Sequence, residues 1–211
     1  MPVVNNAQSL HPAINAFGIF SDLKSVLGVQ ALSEIPSVDV LNKWARSSSP
    51  GFTALGLTYV AQTDGFDWQG HYYEEVINTR KIIPTRINCW HDFFNACIWM
   101  LFPQTKSLLN ALHCRDIKQY GHKTRTKRRD ALTLFDECGV VIATSQPSVI
   151  EQLRTHQWHN VFWQKRLEWN QSIQATMFGH ANYEMSLQPF IGLTGKAFFI
   201  EKRIKKGLHL S

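Results

Sequence analysis

His180 and Glu184 lie four residues apart in the segment Phe178–Glu184. If that segment is helical, both side chains lie on one face of the helix. Such a pair can supply two ligands to one metal ion, or a carboxylate that orients an imidazole. The alternative is a structural His–Glu hydrogen bond in the core. The spacing is not that of an H-E-x-x-H motif.

Asp92 and Asn95 lie three residues apart in the most apolar segment of the chain, directly after His91. A buried carboxylate needs a partner or it loses its charge. A helix here would bring both side chains to one face, so we predict that they belong to a functional site. The alternative is that Asp92 only caps the first turn of its helix.

Lys106, Asn110 and His113 form a polar stripe on the next predicted helix, opposite Leu108, Leu109 and Leu112. A cation, an amide and an imidazole together could hold a phosphate or carboxylate of a substrate. The alternative is that this stripe is the solvated face of an amphipathic helix. Arg86, which precedes the apolar helix, is a further candidate for binding an anionic group.

Two acidic residues, Asp130 and Asp136, are also candidates for contacting a substrate. For Asp136 the alternative is a turn residue, because Asp136-Glu137-Cys138-Gly139 resembles a tight turn. For Asp130 the alternative is an ion pair with its neighbour Arg129. We expect Glu137 to be solvated.

A basic run extends from His122 to Arg129. Its cations could neutralise phosphates of a nucleic acid, although no aromatic residues are interleaved to stack on bases. The alternative is a solvated loop. The candidate nucleic-acid-binding residues are Lys123, Arg125, Lys127, Arg128 and Arg129.

The elements that must position these residues form a helix-rich α+β fold. We predict a buried central helix pair, Trp90–Phe102 and Gln104–His113, because the first segment is apolar on nearly every face and Pro103 ends it. A β-hairpin is predicted over Ala131–Ser145 and a helix over Ala175–Leu187. The segment 115–129 is predicted as a surface loop or solvated turn. Other predicted elements are helices at Ser21–Leu27, Val38–Ala45, Tyr72–Thr79 and Trp158–Trp169, with strands at Phe52–Ala61 and Gly195–Glu201.

The composition limits the class of protein. The chain has 211 residues and a formal net charge of +6, so we expect a single domain, with 1–70 as a helical N-terminal part and 202–211 as a basic tail. No CxxC pair, P-loop, GxGxxG or GxSxG motif is present. There is neither a signal-peptide pattern nor a membrane-length apolar run, which predicts a cytoplasmic protein without a membrane partner.

Several blocks of the sequence resemble the bacterial family called domain of unknown function 3025. The blocks with the most specific motifs are Trp90–Ala96, Arg129–Gly139 and Phe178–Glu184, and the similarity extends from about Tyr73 to about Ala197. The resemblance implies a single bacterial cytosolic domain and assigns no activity.

Three hypotheses follow for function. In the first, the chain is a hydrolase or transferase for a phosphate-bearing substrate. Asp92, His180 and Glu184, with His91, form its catalytic group or bind a divalent metal, and metal ligands are predicted at His180, Glu184 and Asp92. In the second, it is a non-catalytic nucleic-acid or ribonucleoprotein binder; in the third, an interaction module. The first requires that the side chains of Asp92, Asn95, His180 and Glu184 face one cavity.

Overall fold

The computed structural model describes residues 13–14, 18–27 and 34–201 and shows a helix-rich α+β fold, as the sequence predicts. Within that part of the chain, every helix is too short or too polar to cross a membrane. The predicted basic tail, 202–211, lies outside the described residues. The helices are α1 (Ser21–Leu27), α2 (Val38–Ser48), α3 (Pro50–Ala54), α4 (Tyr73–Arg80), α5 (Trp90–Leu101), α6 (Pro103–Tyr120), α7 (Lys127–Cys138), α8 (Pro147–Arg154) and α9 (His180–Met185). The strands are β1 (Thr58–Ala61), β2 (Ile82–Thr85), β3 (Gly139–Thr144), β4 (Ile173–Met177) and β5 (Lys196–Glu201).

Helix α5 lies at the centre of the main core. Every residue from Asp92 to Met100 is buried, as expected for a helix that is apolar on almost all faces. Neighbouring segments also form hydrogen bonds to its backbone. The Tyr59 hydroxyl donates to the Ala96 carbonyl at 2.9 Å, and the Ser49 hydroxyl donates to the Met100 carbonyl at 2.6 Å. The helix is therefore a fixed support for polar side chains on its remaining face.

The strands form two small sheets. Strands β1 and β2 pair in parallel, with Thr58 opposite Ile82. In the second sheet β3 is central, antiparallel to β4 and parallel to β5. A second hydrophobic cluster packs around this sheet, with Ile142 and Ile173 among its buried members. The second sheet follows α7 directly, so it anchors the end of that helix.

The predicted hairpin over Ala131–Ser145 is wrong in its first half. Residues Lys127–Cys138 are helical, and only the return strand, β3, exists. The Thr126 side chain caps this helix by accepting a hydrogen bond from the Arg129 amide at 3.1 Å. The alternation around Thr133 was too short to distinguish a strand from a helix. As a result, Asp136 lies on a helix and not in a turn.

The predicted helix over Ala175–Leu187 is also wrong in its first half, where β4 replaces it. The chain turns at Gly179, at the N-terminus of α9. A Cβ atom there would lie 2.4 Å from the Glu137 carbonyl oxygen, so the close approach of two backbones requires glycine. This approach brings the start of α9 against the end of α7.

Other boundaries differ from the predictions for local reasons. The predicted strand Phe52–Ala61 begins as helix α3, which has Pro50 at its first position, and β1 starts only after Gly56 adopts a positive φ of 69°. Helix α6 extends to Tyr120, which shortens the predicted loop 115–129. Of the predicted helix Trp158–Trp169, only the π-helical turn His159–Gln164 forms.

Candidate functional site

A cavity of about 420 Å³ lies among α4, α5, α6, α7 and α9. Its volume is in the range of small-molecule sites. Polar and aromatic side chains from all five helices meet in its wall. Asp92, Asn95 and His180 are among them, whereas Glu184, which the enzyme hypothesis also requires there, does not line the cavity. The lining residues are Gln62, Trp68, Tyr73, Glu74, Ile77, Arg86, His91, Asp92, Asn95, Trp99, Lys106, Leu109, Asn110, His113, Thr133, Asp136, Glu137 and His180.

Two histidines in this wall face each other. His91 Nε2 lies 3.0 Å from His180 Nε2. On the far side of each ring, His91 Nδ1 lies 2.9 Å from the Glu184 carboxylate, and His180 Nδ1 lies 2.8 Å from the Asp136 carbonyl oxygen. A carbonyl oxygen and an ionised carboxylate only accept hydrogen bonds, so each Nδ1 carries a hydrogen. When both rings are neutral, each Nε2 atom therefore has a lone pair and no hydrogen, and the two nitrogens are only 3.0 Å apart.

Glu137 completes this cluster from the last turn of α7. Its carboxylate oxygen is 3.4 Å from His180 Nε2 and 3.9 Å from His91 Nε2. One ligand atom from each residue lies within 4.8 Å of the others. Burial raises the pKa of Glu137. We call His91, Glu137 and His180 the triad.

The triad has the spacing of metal ligands. Two Zn–N bonds of about 2.1 Å at the tetrahedral angle would put their nitrogens about 3.4 Å apart, so the two Nε2 atoms would move apart by about 0.4 Å to bind one zinc ion. Histidines that bind metals usually donate their other N–H to a carboxylate or a backbone carbonyl, as His91 and His180 do. Burial, and then the nearby Lys106 charge, lower the pKa of His180 to about 3, so its ring is neutral.

Beside the triad, a buried ion pair joins α6 to α7. Lys106 Nζ donates to both carboxylate oxygens of Asp136, at 2.6 and 2.8 Å, and to Asn95 Oδ1 at 2.8 Å. Asn95 in turn donates to the Tyr73 hydroxyl at 2.9 Å. Burial alone would raise the pKa of Asp136, but Lys106 and then His180 more than offset it, and the pKa is lowered. The network fixes the turn of α7 whose carbonyl orients His180.

Asp92 is paired with Arg86 and does not cap α5 with its side chain. Its carboxylate accepts from the Arg86 amide at 2.6 Å and from the guanidinium at 2.7 Å. Burial would raise the pKa of Asp92, but the hydrogen bonds from Arg86 lower it below its ordinary value. Both residues lie at the cavity, but each already has a charged partner.

The polar stripe of α6 faces inward. Lys106, Asn110 and His113 are buried, whereas Leu108 is 59% exposed, so the alternative of a solvated polar face is wrong. Asn110 donates to the Glu74 carbonyl at 2.9 Å. The sequence pattern of α6 predicts the opposite orientation, because an amphipathic helix normally turns its leucines toward the core and its polar residues toward solvent.

The structure brings together most of the predicted site residues, with two exceptions. Asp130 is exposed and pairs with Arg125 at 3.0 Å, not with Arg129, so it does not reach the cavity. Glu184 does not line the cavity, and its carboxylate contacts the Nδ1 atom of His91. The predicted structural hydrogen bond between His180 and Glu184 is not formed, since His91 lies between them.

The predicted metal ligands also need correction. Among the described residues, the group with metal-ligand spacing that contains His180 also contains His91 and Glu137; Asp92 is instead paired with Arg86, and Glu184 contacts His91 Nδ1. Glu137, which was expected to be solvated, is half-buried: its side chain is 34% exposed and also contacts His180 and His91. If 127–138 had been predicted as a helix, Asp136 and Glu137 would have been placed in its last turn. The sequence analysis did not make this prediction.

Much of the basic run is used within the chain. Arg129 is buried and donates to the carbonyls of His122 and Thr124 at 3.3 and 3.1 Å. Arg128 pairs with Asp116. Arg125 pairs with Asp130 and donates to Thr133. The candidate residues Lys123 and Lys127 are in the same segment and do not line the cavity.

The fold and site define a helix-rich α+β protein with a cavity lined by polar, aromatic and apolar side chains, in which the triad has metal-ligand spacing. The chain belongs to the family described as "Protein of unknown function (DUF3025)", whose model matches residues 57–207. This match confirms the resemblance that the sequence motifs indicated, and it contains every residue of the cavity wall. No curated protein and no solved structure matches the chain.

Proposed function

We propose that the cavity is the active site of a metal-dependent hydrolase, with the triad as ligands of one divalent cation. The observation that carries the proposal is the 3.0 Å separation of the two Nε2 atoms, each with its Nδ1 already used as a donor. Two lone pairs at that distance repel each other unless a proton or a cation lies between them. Glu137 adds an anionic oxygen beside the same point.

Three protein ligands leave coordination positions for water and substrate, as in catalytic zinc sites. A divalent cation bound there would lower the pKa of a water molecule and polarise a substrate carbonyl or phosphoryl oxygen. The chain would supply the positions of the ligands. The Asp136 carbonyl orients His180, Glu184 orients His91, and the Lys106–Asp136 pair holds the turn that carries Glu137.

The nucleic-acid alternative has less support. Three of its five candidate residues, Arg125, Arg128 and Arg129, bind carboxylates or carbonyls of their own chain. The cavity, in contrast, gathers polar groups from five helices, and none of the five candidate residues lines it, although Arg125 donates to Thr133 in its wall. We therefore keep the hydrolase as the proposal.

Metal stoichiometry tests this proposal. The protein is stripped with a chelator, incubated with Zn²⁺ or Mn²⁺, desalted and analysed for bound metal. We expect one equivalent per chain and a loss of affinity of about 100-fold in His180→Ala and Glu137→Gln. The matched control is His156→Ala, a histidine outside the cavity, which should bind like the wild type. Absence of bound metal, or equal binding by His180→Ala, would contradict the proposal.

A further inference from the structure

We infer that the substrate presents an uncharged carboxylic amide or ester to the cavity, held in part by Trp99 and His113, and not a phosphate group. The inference rests on the proposed function and specifies its substrate class. Three features of the cavity wall carry it: its charge, its unpartnered nitrogens, and its apolar surface.

The charges of the wall disfavour an anionic substrate. Four lining residues are acidic, Glu74, Asp92, Asp136 and Glu137, and two are basic, Arg86 and Lys106. The excess of two negative charges equals the charge of one divalent cation. With that cation bound the wall is formally neutral, so the protein side chains add no excess positive charge that would favour a phosphate dianion over an uncharged substrate.

Each basic side chain of the wall is already paired with a carboxylate. An ammonium group has three N–H donors, and the Lys106 group already makes three hydrogen bonds, to Asp136 and Asn95. Moving Lys106 to a phosphate would leave the Asp136 carboxylate without its partner, which is costly. Arg86 uses Nε and Nη2 on the Asp92 carboxylate, which balances its charge, so only its Nη1 group remains for a ligand.

Two nitrogens of the wall lack a hydrogen-bond partner among the described residues. They are Trp99 Nε1 and His113 Nδ1, on side chains that are 2% and 7% exposed. Buried polar atoms are nearly always paired, so these two need a partner that the described residues do not supply, either an ordered water or a bound ligand. Indole nitrogen only donates, and an amide or ester carbonyl oxygen provides the acceptor without adding charge. Burial lowers the pKa of His113, which keeps that ring neutral as well.

The rest of the wall fits an apolar acyl group. Trp68, Ile77 and Leu109 add hydrophobic surface to the same cavity. In the reaction, the water oxygen forms a bond to the carbonyl carbon and the bond to the leaving nitrogen or oxygen breaks. One water proton goes to the leaving group, and the other is released from the new carboxylic acid. No oxidant or further reactant is needed.

The experiment compares chromogenic probes on the metal-loaded full chain. The acyl probes are N-acetyl-leucine p-nitroanilide and p-nitrophenyl acetate; the phosphate probes are p-nitrophenyl phosphate and bis(p-nitrophenyl) phosphate. We expect kcat/KM for at least one acyl probe to exceed that for both phosphates by 100-fold or more. His180→Ala should abolish this activity, which separates it from background ester hydrolysis.

Trp99→Phe tests the predicted contact. It keeps an aromatic ring but removes the indole donor, so we expect KM for the acyl probe to rise about tenfold with unchanged metal stoichiometry. The matched control is Trp163→Phe, at an exposed tryptophan outside the cavity, which should leave KM unchanged. An unchanged KM in Trp99→Phe overturns the assigned contact.

The outcomes separate the two proposals. If the chain binds no metal, the proposed function fails. If it binds metal but prefers the phosphate probes, or hydrolyses none of the four, the metal centre stands and the acyl substrate is overturned.

Discussion

The Lys106–Asp136 ion pair gives the sharpest prediction about what holds the site together. The Lys106 side chain is 5% exposed and that of Asp136 is 25% exposed. Removing one partner of a buried pair typically costs about 3–5 kcal/mol, because the other charge stays behind without compensation. Since Asp136 retains some contact with solvent, we expect Lys106→Met to lower the free energy of unfolding by about 3 kcal/mol, at the lower end of that range.

A double-mutant cycle measures the interaction between the two residues. The metal-free wild type, Lys106→Met, Asp136→Asn and the double variant are unfolded in urea and followed by tryptophan fluorescence. The double variant leaves no unpaired charge. The decrease in its free energy of unfolding should therefore be smaller, by about 2 kcal/mol, than the sum of the decreases in the two single variants. Lys165→Met is the matched control, because its pair with Glu168 is more exposed and should contribute about 1 kcal/mol or less. A loss below about 1 kcal/mol for Lys106→Met, or additive single losses, would refute this reasoning.

Two further predictions concern the frame of the site and its acid stability. Gly179→Ala should lower the free energy of unfolding by about 3 kcal/mol, because the new Cβ atom would meet the Glu137 carbonyl oxygen at 2.4 Å; Gly65→Ala, where nothing lies within 4 Å, should change it little in the same urea titration. Hydrogen bonds from Arg128 hold the pKa of Asp116 below its ordinary value of 3.8, so the stabilisation by this carboxylate is present at neutral pH and is lost as the pH falls below about 4. The urea midpoint should therefore decrease less from pH 7 to pH 3 in Asp116→Asn than in the wild type. An equal decrease in the two proteins would contradict this prediction.

The parts of the fold that could be predicted from sequence are those set by strong local patterns. Helix α5 was predicted nearly to the residue, since its apolar residues cover all faces and Pro103 follows it. Helix α4 was predicted equally well. The failures at 131–138 and 175–179 have a common cause: a short alternating or apolar segment fits either a strand or a helix, and only its tertiary neighbours decide.

Most members of the candidate site could be predicted, although Glu137 was missed and Asp130 and Glu184 do not line the cavity; the pairing of its residues could not be predicted. His91, Asp92, Asn95, Lys106, and His180 were identified because polar residues in apolar surroundings are unusual, and all of them line the cavity. The sequence could not show that Arg86 neutralises Asp92 or that His91 lies between His180 and Glu184. Those pairings join residues that are distant in the sequence, and they follow from how α5, α7 and α9 meet.

Cobalt spectroscopy of the triad tests the central claim most directly. Co²⁺ is added to the stripped protein, and its visible absorption and its X-ray absorption fine structure are recorded for the wild type and for His91→Ala. The account predicts one Co²⁺ per chain with two imidazole ligands and one carboxylate in the wild type, and one imidazole fewer in His91→Ala. A spectrum of fully hydrated Co²⁺, or an unchanged imidazole count in the variant, would contradict it.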